Sequence, residues 1–192
     1  MNRSELFATA LDVQEFCREQ GWDFCFIGGL AVQRWGVQRY TKDADLTLMT
    51  RYAQDEEYAA KLLTRFKPRR ADALEFAQRA RALFLTHENG VEIDVALGAL
   101  PFEERCVARS SAWDTGDAGA GLVTCSAEDL VVHKAFAARD HDWVDVDGIL
   151  EMRGDKLDLA LIRRELAPFA EHQTKEDVIA HLERLFRRHK LV

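Results

Sequence analysis

Across 192 residues, 33 Asp and Glu outnumber 26 Lys and Arg for a net charge of −7, which argues against a surface that grips nucleic acid over its whole extent, because phosphate contacts dominate such affinity. A hydrophobic content of 47% is enough for the core of one large domain or two small ones. No apolar run approaches the roughly 18 residues of a membrane span, and Met1-Asn2-Arg3-Ser4-Glu5 opens an amphipathic helix instead of a secretory leader, so a soluble cytoplasmic protein with no membrane partner is expected.

The first predicted element is a helix from Ser4 to Gln20, with Leu6, Phe7, Leu11 and Phe16 on one apolar stripe, ended by Gly21. A short buried strand over 24–27 runs into Gly28-Gly29 and a helix over 29–36. Glycines at such a junction let backbone N–H groups approach an anion, and a helix N-terminus favours negative charge. By itself, however, a glycine pair signals only a turn that needs positive φ. A strand over 43–49 follows, then a helix over 55–66 stopped by Pro68. A short helix near 71–79 leads to a hairpin with strands near 81–87 and 91–98, joined through Asn89-Gly90, a type I′ signature. Residues 110–121 are polar and glycine-rich and read as a loop. The strand 122–125 leads to Ser126-Ala127-Glu128-Asp129, which resembles a helix cap. Beyond it the chain reads as helical, with breaks near Gly154 and Pro168 and a second cap-like Thr174-Lys175-Glu176-Asp177. The expected organisation is a mixed α/β (α+β) half over 1–125 and a helical half over 126–192.

Alternate residues of a strand share a face, so Asp43, Asp45 and Thr47 lie opposite Ala44, Leu46 and Leu48. In Val91-Glu92-Ile93-Asp94-Val95-Ala96-Leu97 the acids again oppose the apolar residues, and Asp94 can meet the first pair across a ladder. Carboxylates converging on one spot repel each other strongly unless a cation neutralises them. Hard oxygen ligands suit Mg²⁺ or Mn²⁺, which keep some water and bind substrate phosphates as well. The plainer alternative pairs these aspartates with Arg39, Lys42 or Arg34.

The Gly28-Gly29-Leu30 turn, the helix after it and Asp43-Ala44-Asp45 resemble the DNA polymerase β-like nucleotidyltransferase superfamily. Within it, Arg39-Tyr40-Thr41-Lys42-Asp43-Ala44-Asp45 is similar to the Arg-x-Thr-x-Asp-x-Asp block of the AbiEii-type toxins. Lys134-Ala135-Phe136-Ala137-Ala138-Arg139 and Asp142-Trp143-Val144-Asp145 resemble their downstream Lys…Ala…Arg and Asp-x-x-Asp blocks. Glycine in place of the more usual Gly-Ser weakens any hydroxyl contact to phosphate. The resemblance covers residues 24–150 and implies a mixed sheet flanked by helices. It further implies that Asp43 and Asp45 bind the metals, that Asp94 completes the site and helps deprotonate the attacking hydroxyl, and that Gly28, Gly29, Thr41, Lys134 and Arg139 contact the NTP. Asp142 or Asp145 would take part in proton transfer, with the site lying between the two halves. An NTP substrate, a tRNA 3′ end or protein hydroxyl as acceptor, and an antitoxin partner are implied likewise.

A helix unbroken from Ala127 would put Lys134, His141 and Asp145 in one stripe and turn Arg139 away. The plainer alternatives are solvated charges for Lys134 and Arg139 and an acidic surface turn for Asp140, Asp142, Asp145 and Asp147. Cys17, Cys25, Cys106 and Cys125 lack ligand spacing and read as buried free thiols. Two basic clusters, Lys61, Arg65, Lys67, Arg69 and Arg70, and Arg184, Arg187, Arg188 and Lys190, are either solvated faces or a path for an RNA acceptor. A small-molecule transferase similar to the aminoglycoside nucleotidyltransferases is the second functional reading. A nucleotidyltransferase fold that has lost catalysis is the third, and the presence of all three carboxylates counts against it.

Overall fold

A computed structural model of the chain describes residues 3–50, 54–115, 121–172 and 176–192. It divides into two units, Met1–Leu30 with Tyr40–Cys125, and Ala31–Arg39 with Ser126–Val192.

The first unit opens with α1 (Arg3–Glu19), whose stripe buries Leu6, Phe7, Ala10, Val13, Phe16 and Cys17. Then follow β1 (Phe24–Phe26), α2 (Gly28–Trp35), which begins here, and β2 (Asp43–Met49). Next come α3 (Asp55–Leu62), β3 (Lys67–Pro68), α4 (Ala73–Ala80), β4 (Ala82–Thr86), β5 (Glu92–Gly98), α5 (Pro101–Ala108), β6 (Ser111–Trp113) and β7 (Leu122–Thr124). Among the described residues the strands form one mixed sheet in the order β3-β4-β5-β2-β1-β7-β6. At its centre β2 runs parallel to β5 and antiparallel to β1. The apolar alternates Ala44, Leu46 and Leu48 of β2 and Ile93, Val95 and Leu97 of β5 join the α1 stripe in the core.

Four sequence expectations change in this unit. The helix expected over 55–66 stops at Leu62, because Pro68 keeps the residue before it extended and the chain tightens into turns at Thr64 and Arg65. The Asn89-Gly90 turn is not type I′. Only Gly90 has positive φ (88°), and Gly90 N donates to His87 O at 2.9 Å, a type I turn closed by a left-handed glycine. Inside the expected loop 110–121, Ser111–Trp113 pairs with β7 and Trp113 packs edge-on to Phe7 at 5.5 Å, while residues 116–120 lie outside the described set. Helix α5 was not expected. Pro101 starts it, and Glu103 Oε2 accepts from the N–H groups of Ala99 and Leu100 at 2.8 Å each.

Thr47 is fully buried, with no hydrogen-bond partner for its Oγ1 among the described residues. Thr47→Val replaces that hydroxyl by a methyl of similar shape in a strand, and is expected to stabilise by about 1 kcal/mol, roughly 2–4 °C in Tm. Thermal unfolding followed by circular dichroism checks this. The four cysteines are buried thiols outside any disulfide, Cys25 Sγ lying 3.9 Å from Cys106 Sγ, and burial pushes the Cys17 thiol up to about 12.

The second unit contains the rest of α2 with the segment after it, then α6 (Ala127–Ala137), α7 (Asp140–Arg153), α8 (Leu159–His172) and α9 (Glu176–Arg188). Ser126 caps α6 as expected, its Oγ accepting from Asp129 N at 3.1 Å. The helix from Ala127 is broken, however. Ala138 takes a left-handed conformation (φ 54°) and α7 starts afresh at Asp140. The expected break near Gly154 is present as a short 3₁₀ turn over Gly154–Lys156, whereas Pro168 sits inside α8 and does not end it. The cap-like Thr174-Lys175-Glu176-Asp177 includes residues 174–175, which lie outside the described set. Gly148 of α7 meets the loop after α2, where a Cβ would come 3.2 Å from Val37. No helix among the described residues is long and apolar enough to cross a membrane.

Candidate active site

Two groups of the expected residues are gathered, one in each unit. In the first, β2 and β5 are in parallel register with Asp43 opposite Glu92 and Asp45 opposite Asp94. The sheet therefore sets three of the expected carboxylates on one face, Asp45 and Asp94 as direct neighbours and Asp43 one alternation along. All three are half-buried. The glycine turn packs against them. Gly28 has φ 55°, and a Cβ there would fall 2.0 Å from Asp45 Oδ2, while one on Gly29 would fall 2.1 Å from Thr41 Oγ1. Gly29 N faces Asp45 Oδ2 at 3.4 Å, so in this structure the anion beside the turn is a carboxylate of the protein itself. Thr41 Oγ1 donates to Asp43 Oδ1 at 3.0 Å.

A divalent ion fits this donor set chemically, since hard carboxylate oxygens on one face suit Mg²⁺ or Mn²⁺ and the missing side chains of Gly28 and Gly29 leave Asp45 and Thr41 their space. Among the described residues, even so, no three Asp, Glu, His or Cys side chains are grouped as a metal site. Asp94 is instead ion-paired to Arg69, which also holds Glu92 at 2.9 Å. Arg69 belongs to a basic cluster visible in the sequence, but its pairing with Asp94 was not foreseen.

Gly28→Ala is expected to cost about 1–2 kcal/mol in backbone strain, read as a lowered Tm, and to push the Asp45 carboxylate aside, read as weaker Mn²⁺ binding. Gly21→Ala is the control. Its φ is 67° with nothing within 4 Å of an added Cβ, so it should lower Tm similarly and leave Mn²⁺ binding intact.

The second group is a buried ion cluster. Lys134, near the end of α6, is 6% exposed, and its Nζ lies 2.9 Å from Asp142 Oδ1 and 2.8 Å from Asp145 Oδ2. Arg39 grips Asp145 through Nε at 2.6 Å and Nη2 at 2.8 Å. Arg139, placed by the helix break just ahead of α7, closes on Asp142 through Nε at 2.6 Å and its backbone N–H at 3.3 Å. The break thus brings Lys134, Arg139, Asp142 and Asp145 together, which an unbroken helix would not have done. Lys134, Asp142 and Asp145 are thus buried and not solvated charges or a surface turn, whereas the Arg139 side chain is 63% exposed, Asp140 is exposed, and His141 is exposed, 3.6 Å from Asp142. Arg39 pairs with Asp145, and Arg34 lies over the Trp35 ring at 4.0 Å.

Burial pushes the Asp142 carboxyl up, but hydrogen bonds and charge from Arg139 and Lys134 outweigh it and hold the group below the ordinary aspartate range. Asp145 behaves likewise, with burial opposed by Arg39 and Lys134. Both carboxyls thus release their protons more readily folded than unfolded. Their contribution to stability is fully present above about pH 4 and is lost as pH falls through the depressed folded values. Tm measured from pH 7 down to 3 is expected to drop in the acid range, less steeply in Asp142→Asn.

The family model described as "Nucleotidyl transferase AbiEii toxin, Type IV TA system" matches residues 16–191. Among solved structures the chain is similar to an antigenic nucleotidyltransferase-like protein from Paracoccidioides brasiliensis, at 15% identity and TM-score 0.56 over 95% of this chain and 94% of that one. It is also similar to the antibiotic-resistance factor ANT(2'')-Ia, at 13% identity and TM-score 0.57 over 94% of this chain and 99% of that one. At such identities the likeness establishes the mixed α/β nucleotidyltransferase fold. No curated protein sequence matches. With the family match running from α1 to the end of the described helices, the chain belongs to the AbiEii nucleotidyltransferase toxin family and is a nucleotidyltransferase.

Proposed function

We propose that the protein transfers a nucleoside monophosphate from an NTP to the hydroxyl of a tRNA 3′ end or a protein, with Mg²⁺ or Mn²⁺. It would act in the cytoplasm as the toxin of a toxin–antitoxin pair. The observation that supports this reading most directly is the register of Asp45 with Asp94, Asp43 sharing their face. Asp43, Asp45 and Asp94 would hold the metal. Divalent ions bound there supply charge neutralisation for the triphosphate and acidify the acceptor hydroxyl. Asp94 accepts the proton as the acceptor oxygen bonds to the α-phosphorus, and pyrophosphate leaves with the broken phosphoanhydride bond.

Gly28, Gly29 and Thr41 leave room for and orient the first two aspartates. Lys134 Nζ has three donors, of which Asp142 and Asp145 take two, leaving one for a phosphate oxygen, and Arg139 adds a second cation. Asp142 and Asp145 then serve as positioning residues for Lys134, since a depressed, ion-paired carboxylate is a weak base.

A small polycationic acceptor, as for an aminoglycoside-type transferase, is the second reading, favoured by the net charge of −7. Incubation of the protein with each labelled NTP, Mg²⁺ or Mn²⁺, and either total tRNA or an aminoglycoside panel tests both, with Asp45→Asn as control. Label on tRNA supports the first and label on a drug the second. Absence of any transfer, with no metal-dependent NTP binding, would refute both.

A further inference from the structure

Arg69 is the residue that the mechanism above leaves unused although it touches a proposed metal ligand. It follows the edge strand β3, and its backbone N–H donates to Phe84 O at 2.9 Å. Phe84 is the register partner of Asp94, so its ring lies on the carboxylate face, with the Arg69 guanidinium 5.2 Å from its centre. From there one guanidinium nitrogen pairs with Asp94 Oδ1 and the other reaches Glu92 Oε2 at 2.9 Å. The Arg69 side chain is 26% exposed, so the guanidinium is partly withdrawn from water and its charge is felt at Asp94 more strongly than a free surface arginine's would be.

We propose that Arg69 is a resident counter-cation of the metal site: in the metal-free protein it neutralises Asp94, and a divalent ion entering beside Asp43, Asp45 and Asp94 displaces it. The inference rests on the reading of Asp94 as a metal ligand. Three aspartates brought onto one face of the sheet repel one another, and a guanidinium on one of them lowers that repulsion while no metal is bound. It cannot share Asp94 with a divalent ion without like-charge repulsion at short range. The backbone anchor to Phe84 and the contact to Glu92 keep the displaced guanidinium close by, so exchange needs side-chain rotation alone.

The test is Mn²⁺ binding by the full chain without nucleotide, measured by calorimetry and by the electron paramagnetic resonance signal of free Mn²⁺, with melting curves to establish folding. Arg69→Gln is expected to bind Mn²⁺ on the order of tenfold more tightly than the unaltered protein, because a competitor has been removed. Arg69→Lys, which keeps the charge but loses the fork, should fall between the two. Asp94→Asn should weaken binding. A purely structural role for Arg69 would lower Tm and leave Mn²⁺ affinity unchanged or weaker.

Unchanged or weaker affinity in a folded Arg69→Gln overturns the proposal while Asp94 stands as a ligand, provided Asp94→Asn still loses binding. If Asp94→Asn binds as the unaltered protein does, or if neither the unaltered protein nor Arg69→Gln binds Mn²⁺, the reading of Asp94 itself fails. Should Arg69→Gln not fold, Arg69→Lys carries the test, and an absence of tightening there overturns the proposal.

Discussion

Asp45→Asn is expected to lower nucleotide transfer by on the order of a thousandfold or more, about 4 kcal/mol in transition-state stabilisation, while Tm stays within about 2 °C of the unaltered protein or rises. The catalytic loss follows from replacing a charged oxygen donor by a neutral amide at the centre of the metal face, since Asp45 alone is both in register with Asp94 and adjacent to the glycine turn. The tolerance of the fold follows from the same place. Asparagine keeps the size that Gly28 accommodates and removes one member of a repelling set. Asp43→Ala should lose transfer as well, but it is the less clean experiment. The buried Thr41 hydroxyl donates to Asp43 and would be left without that acceptor, at a cost of about 1 kcal/mol. Steady-state transfer of label, read beside thermal unfolding, separates the two effects. Loss of folding in Asp45→Asn would instead make the carboxylate a structural ion-pair partner.

How far the site was legible in the sequence depended on whether a feature is local. The period-two alternation of Asp43, Asp45 and Thr47 against Ala44, Leu46 and Leu48 fixes a face, and β2 has the bounds that this pattern implies. Asp94 was readable for the same reason, because Ile93, Val95 and Leu97 pin its strand. What alternation cannot convey is register between strands distant in sequence, so the pairing of Asp45 with Asp94 and the reach of Arg69 onto Asp94 emerge only from the assembled sheet. Nor does helical periodicity reveal where a helix stops without glycine or proline. Ala138 breaks the chain in a left-handed conformation that alanine rarely adopts, and the ion cluster around Lys134 exists because of that break. Pro168, a breaker by propensity, stays inside α8. Helix α5 did have a local signal, Pro101 at its start with Glu103 reaching back to two N–H groups, weaker than the strand patterns beside it.

Lys134→Met is expected to destabilise the protein by roughly 3 kcal/mol or more, about 6–12 °C in Tm, against the half kcal/mol or so of an exposed lysine. Methionine is similar in length and fills the space, so the effect reports the charge. Removing the ammonium leaves Asp142 and Asp145, whose side chains are 0% and 2% exposed, each with a single arginine in place of two cations. An under-compensated buried carboxylate is costly because the desolvation already opposing ionisation is no longer offset. Neutralising one aspartate in the same protein restores the balance, so Lys134→Met with Asp145→Asn should lose less than the sum of the single changes, a coupling that thermal unfolding of the full cycle measures. The cycle also separates two roles for the lysine. If Nζ serves only Asp142 and Asp145, the double variant regains transfer with its stability; if its remaining donor contacts a phosphate, stability returns while the NTP requirement stays raised well below Tm.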